Sequence, residues 1–201
     1  MEPLPSHIVL DRKPALYREQ GPTYCGGYSA SGILESYGKP VPSHPRKLYS
    51  SLFAQLFGPP SSPHRWVEAF RQHGLCAEVR PLKHVSRDDD LRALRQPLAE
   101  GKSVMLRIGN GYLPNGRHSS LMARLAGHWV TLWGYDDGEE CFYVYDSGVR
   151  KRMYDLSIPI GNVTRSYDAM LRDIECGGFP RRWAGMHVVA WAREDVKNCL
   201  S

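Results

Sequence analysis

Several features that would settle a function class at once are missing from these 201 residues. The five cysteines, at 25, 76, 141, 176 and 199, include no Cys-x-x-Cys pair and are odd in number, so neither a zinc ribbon nor a disulfide framework is encoded. Five free thiols in a reducing compartment are the expectation. Basic clustering is also absent. The excess of +5 divides into +3 over residues 1–100 and +2 over 101–201, without the stripe that tracks a phosphate backbone, which argues against nucleic acid. No apolar run approaches the ~20 residues of a membrane span. Met1 to Pro14 hold no apolar core of signal-peptide length and carry Asp11, Arg12 and Lys13 where it would lie. The expected compartment is the cytoplasm, or a destination reached without a cleavable signal.

What is present is 42% apolar and 23% charged, with nineteen glycines and fifteen prolines. That is the composition of a folded chain with many turns and shaped loops, not a helical bundle. The length predicts one domain over 1–201, opening with an irregular leader over 1–19 broken by Pro3, Pro5 and Pro14.

Periodicity supplies the elements. A helix starts at Cys25, with Ser29, Ala30, Ile33, Leu34 and Tyr37 on one face, and stops at Gly38 before Pro40. A second is expected over Leu48–Phe57 between prolines, a third from Trp66 to Gly74, and a fourth from the Ser86 cap through Asp88, Asp89 and Asp90 to Leu98. Strands are predicted at 75–79, 103–108, 129–133, 141–145 and 186–192, with Tyr135-Asp136-Asp137-Gly138 as a hairpin turn. Residues 109–127 read as a glycine-rich mobile loop. Helices followed by an antiparallel sheet make an α+β layout.

One thiol stands where a nucleophile would stand. A helix N-terminus lowers a thiol pKa by its dipole and unpaired N–H groups, and Cys25 is predicted there. Gly26 and Gly27 leave room for a substrate carbonyl to approach, and the Cys25 N–H and the side-chain amide of Gln20 would form an oxyanion hole. The thiol needs a base, and the base an orienter. His128 opens one strand of the predicted hairpin and Asp146 ends the other, which puts imidazole and carboxylate side by side.

Gln20-Gly-Pro-Thr-Tyr-Cys25-Gly26, Gly127-His128-Trp129-Val130-Thr131-Leu132-Trp133-Gly134-Tyr135 and Tyr143-Val144-Tyr145-Asp146 together resemble the papain-like cysteine peptidase superfamily. They are most similar to the branch containing bacteriocin-processing peptidase domains. The resemblance covers about 18 residues near the N-terminus and the span 127–148. It departs from the family at Ser147, where proline is frequent, and at Gly27, where a larger residue is common. It implies a papain-like fold, with a helical lobe bearing the cysteine helix packed on an antiparallel sheet. It also implies Gln20 as oxyanion donor, Cys25 as nucleophile, His128 as general base and acid, and Asp146 as orienter.

Rival readings stay open at this point. His187 could replace His128, though no carboxylate-ended strand follows it at hairpin distance, and Asp155 could replace Asp146 if the hairpin register differs. His118 is a solvated loop histidine or part of a lid. Asp88, Asp89 and Asp90 are helix-start acids before they are a metal site, and neither metal nor cofactor is called for. Arg150-Lys151-Arg152 and Arg181-Arg182 are solvated surface or contacts to an acidic substrate; Tyr24, Trp129, Trp133 and Trp183 line a groove or fill the core. The expected activity is hydrolysis of an amide bond in a peptide or protein through a thioester. The same side chains serve deamidation, peptidoglycan cleavage and acyl transfer, and the fold also suits a binding module. Delivery as a bacterial effector is a further expectation, without a motif behind it.

Overall fold

A computed structural model describes residues 3–192 apart from 22, 50–51, 53–55, 57–61, 112–117 and 180. Its strands are β1 (His7–Val9), β2 (Leu75–Pro81), β3 (Ser103–Gly109), β4 (Gly127–Asp136), β5 (Cys141–Tyr145), β6 (Val163–Ser166) and β7 (Met186–Ala192). Its helices are α1 (Cys25–Ser36), α2 (Pro63–Gln72), α3 (Arg87–Ala99), α4 (Ser120–Leu125) and α5 (Tyr167–Cys176). The strands form one antiparallel sheet in the order β2-β7-β3-β4-β5-β6, with β1 added to the far part of β4 through His7↔Asp136 and Val9↔Gly134. This is an α+β architecture.

Four helices begin on a serine that accepts a first-turn N–H, as local sequence dictates: Ser62 from Arg65, Ser86 from Asp89, Ser119 from Met122 and Ser166 from Ala169. The helix α1 is different. Its N-cap, Tyr24, is left-handed with φ 75° and makes no side-chain cap. The cap residue therefore takes none of the first-turn N–H groups at Cys25.

Helices cover both faces of the sheet. Tyr145 of β5 meets Gly32 of α1, whereas Phe142, an odd number of residues away and so on the other face, packs on Tyr167 of α5 with ring centroids 4.8 Å apart. The small residues of α1 let it lie close. A Cβ on Gly26 would stand 2.3 Å from Trp66 Cζ2, and one on Gly27 2.8 Å from the Pro45 carbonyl. The two glycines thus serve packing, and the space expected for a substrate is filled by Trp66, Trp129 and Pro45. Trp66, Trp133, Tyr135, Phe70 and Phe142 are among the largest fully buried side chains of a single contiguous core.

Other expectations need correction. The predicted loop 109–127 holds the helix α4, seated by the buried Ala123 whose carbonyl abuts Gly109; 112–117 lie outside the described residues. Of the predicted helix over 48–57, residues 50–51, 53–55 and 57 lie outside the described residues; Leu52 and Leu56 are helical, and Leu48 ends the 3-10 turn Pro45–Leu48 instead. The expectation of five free thiols fails: Cys76 is disulfide-bonded, while Cys25, Cys141 and Cys176 are free and Cys199 lies outside the described residues. Spacing in sequence cannot show which thiols a fold brings together. No helix among the described residues is long and apolar enough to cross a membrane.

Candidate active site

Three of the four side chains singled out in the sequence converge at one end of β4 and β5. His128 and Asp146 are buried, and His128 Nε2 bonds Asp146 Oδ1 at 2.7 Å. That leaves Nδ1 for Cys25, whose thiolate form is favoured by the charge and donor group of His128 and by the backbone N–H groups of Trp129 and Gly26. Cys25 is the first residue of α1 and keeps partial exposure. Gln20 is tied to the same place from the leader. Its N–H donates to the Ser147 carbonyl at 2.8 Å, and the Ser147 hydroxyl donates to Gln20 Oε1 at 2.5 Å. The carbonyl end of the amide is thereby occupied, and its NH₂ end is turned away from Ser147.

The rivals lie elsewhere. Asp155 is exposed and accepts from Ser157. His187 is buried within β7 beside Leu106 and Arg80. His118 bonds Asp173 at 3.0 Å. Asp90 is engaged by the backbone and ring of His84, and no group of three or more metal-ligating side chains occurs among the described residues. Trp129 and Trp133 belong to the core; Tyr24 and Trp183 are half-buried.

No family model matches the chain, and no curated protein matches it. Among solved structures, a Bacillus anthracis protein provisionally described as a C39-like peptidase overlays with a TM-score of 0.57. The overlay covers 94% of this chain and 99% of the other at 13% identity. The fold is that of a C39-like peptidase. A double glycine motif protease from an AMS/PCAT transporter, solved with its leader peptide, overlays at 0.49 with 15% identity over 90% and 93% of the two chains, too loosely to add to this.

Within this papain-like, C39-like fold the electrostatics favour an ion pair. Burial pushes the Cys25 thiol up, but the hydrogen bond and charge of His128, with the N–H groups of Trp129 and Gly26, bring it below its ordinary value. Burial pulls His128 down, and Asp146, with the thiolate, more than reverses it, so the imidazolium is favoured. Asp146 would be raised by burial, yet His128 and Arg165 hold it well below the usual carboxylate range.

Sequence reasoning missed the residues that hold these. The Asn162 side chain clasps the Asp146 backbone from both sides, Oδ1 accepting its N–H at 2.8 Å and Nδ2 donating to its carbonyl at 2.9 Å. The Gly148 N–H donates to Asp146 Oδ1 at 2.9 Å, and Arg165 donates to Oδ2. Arg107 lies buried under the backbone beside His128, where a Cβ on Gly127 would meet its guanidinium, and it donates to the carbonyls of Gly177 and Phe179 at 2.6 and 2.7 Å. Burial lowers Arg107 to about 10, against the pull of the charge on Cys25. A glycine before the histidine is the one local signal of that close approach.

Proposed function

We propose that the protein is a cysteine peptidase that cleaves an amide bond of a peptide or protein. The observation that carries the reading is the position of His128, between a carboxylate at 2.7 Å and a thiol on an uncapped helix N-terminus. Cys25 Sγ attacks the amide carbon. The developing oxyanion accepts from the Cys25 N–H and from the Gln20 amide NH₂. His128 gives its Nδ1 proton to the leaving amine as the C–N bond breaks, which leaves a thioester on Cys25. Water then attacks the thioester and loses a proton to His128. The acid departs, and the thiolate–imidazolium pair is restored. Asp146 holds the imidazole orientation throughout.

The test is the pH dependence of iodoacetamide alkylation at each free cysteine, located by peptide mapping, in the wild type and in His128→Ala. It is paired with cleavage of a randomised fluorogenic peptide pool. Cys25 is expected to react well below the ~8.5 of an ordinary thiol, to lose that behaviour without His128, and to cut peptides in the wild type but not in Cys25→Ala. Alkylation of Cys25 no faster than of Cys141 and Cys176 would remove the enzymatic reading in favour of a binding module. A reactive Cys25 that releases ammonia from glutamine peptides without cutting them would make it a deamidase. An effector role is tested separately by an immunity or secretion-chaperone gene beside its own.

A further inference from the structure

The Cys25–His128–Asp146 constellation is backed by a second layer of buried charge. Arg165 lies on β6 opposite Phe142 and is 9% exposed. One arm of its guanidinium, Nη2, donates to Asp146 Oδ2, and the other, Nη1, donates to Asp173 Oδ2 at 2.8 Å. Asp173, on α5, is fully buried. Its Oδ1 accepts from His118 Nε2 at 3.0 Å and from Arg172 Nε and Nη2 at 3.2 and 3.0 Å. From Cys25 inward the groups alternate in sign: thiolate, imidazolium, Asp146, Arg165, Asp173, then Arg172 on the outside. Two carboxylates from different elements share one rigid fork, a geometry that an ammonium cannot reproduce.

We infer that Arg165, anchored by Asp173, is a positioning residue for this site: it fixes the rotamer of Asp146 and so the direction in which His128 presents Nδ1 to Cys25. The inference rests on the reading of Cys25 as the nucleophile. A carboxylate held only at Oδ1 is free to swing about its Cβ–Cγ bond, and the ring it holds tilts with it. Arg165 grips Oδ2 while His128 and the Gly148 N–H grip Oδ1, so all three constraints act on one plane. Without the guanidinium, two buried carboxylates would face each other with no cation between them, a costly arrangement.

The charged and titratable groups facing the network are Arg107 and His128 toward Cys25, Tyr154 and Arg165 toward Asp146, and His118 and Arg172 toward Asp173. Removing Arg165 acts on Cys25 through Asp146 and His128: the thiolate loses the alignment of its imidazolium partner, which raises the pH at which the thiolate forms.

The test uses the full chain as wild type, Arg165→Met and Arg165→Lys, with Cys25 alkylation by iodoacetamide followed against pH and thermal unfolding measured in parallel. In Arg165→Met the acid limb of the Cys25 profile is expected to move up by about one pH unit, roughly tenfold slower alkylation on that limb, while Cys141 and Cys176 are unchanged. Arg165→Lys, which keeps the charge and loses the fork, is expected to move it by part of that. A purely structural role would lower the unfolding temperature and leave the limb of the folded protein in place. A profile superimposable on the wild type in Arg165→Met, or in Arg165→Lys if the methionine variant does not fold, overturns the inference while leaving the active-site reading intact. Absence of any depressed limb at Cys25 in the wild type overturns the active-site reading and this inference together.

Discussion

His128 Nε2 and Asp146 Oδ1 stand 2.7 Å apart because β4 carries one residue more than β5. Near the turn the hairpin pairs Asp136↔Cys141, Tyr135↔Phe142 and Gly134↔Tyr143; beyond Trp133 it pairs Leu132↔Val144 and Thr131↔Tyr145. Continued without the bulge, the first register would set Asp146 opposite Thr131 and point it away from His128. The shifted register sets Asp146 opposite Val130, two residues along from His128 and on the same side.

The bulge adjoins the place where β1 joins β4, and Gly134 makes that contact. A Cβ there would lie 2.2 Å from the Ile8 carbonyl and 3.0 Å from Tyr143. Gly134→Ala is therefore expected to lower stability by about 1–3 kcal/mol and to weaken the dependence of Cys25 alkylation on His128. Thermal unfolding and the alkylation profile read the two effects; a variant unchanged in both would show that the bulge does not depend on this glycine.

Substitutions at Gln20 and Ser147 separate the proposed oxyanion binding from thiol activation. Alkylation of Cys25 creates no oxyanion, whereas amide cleavage does. Gln20→Ala is expected to lower kcat by about 10²–10³ with the alkylation rate held. Ser147→Ala, which releases Oε1 of Gln20, should give a smaller loss of the same kind. Equal losses in alkylation and turnover would place Gln20 outside the oxyanion hole.

Gly26 sets the distance between α1 and the aromatic floor beneath it. In Gly26→Ala the new methyl would sit 2.3 Å from Trp66 Cζ2 and 3.1 Å from Trp129 Cδ1, and neither indole is the loose end of a flexible chain. The expected result is a loss of about 1–3 kcal/mol, seen as a lower midpoint in denaturant, together with lower activity as Cys25 is lifted from His128. Full activity with full stability would mean that Trp66 can move away at no cost.

His187 gives the fold a sensitivity to acid that is separate from the active site. Burial first, and then the charge of Arg80, lower it to about 4 against a slight opposing contact with the Gly185 backbone. The unfolded chain then takes up a proton near ~6.5 that the folded chain refuses until about pH 4. Stability should accordingly fall as pH drops through that window, by up to about 3 kcal/mol from this group. In His187→Leu the fall between pH 6.5 and 4 should be shallower by that amount in denaturant titrations. Equal slopes for the two proteins would assign the acid loss to other groups.

The sequence by itself determined the elements whose signals are local. The Ser86 cap and the spacing of apolar residues marked α3, and apolar spacing marked the body of α2, whose Ser62 cap went unread. Gly38 closed α1, Asp137-Gly138 turned the hairpin, and the β-like runs located β2, β3, β4, β5 and β7. With Cys25 at a helix start and His128 and Asp146 at strand ends, the resemblance to the papain-like fold was already legible, because each of those signals lies within a few residues of the side chain it places. The helix α5 also carried a readable pattern that went unread: Ser166 as cap, Met170 and Ile174 on one face, and Gly177 at its left-handed end.

The tertiary structure alone decided the rest. The strand β1 is three residues long and exists only because β4, more than 120 residues away, offers it an edge. The bulge at Trp133 reflects competition between β1, β3 and β5 for one strand, which no window of sequence contains. Arg165 and Asp173 meet Asp146 through the pairing of β6 with β5 and the return of α5 over the sheet. Their types are ordinary surface types in sequence, and burial alone makes them an ordered chain of charge. Local propensity chose the pieces; long-range pairing and desolvation, which depend on what each piece is packed against, chose how they face one another.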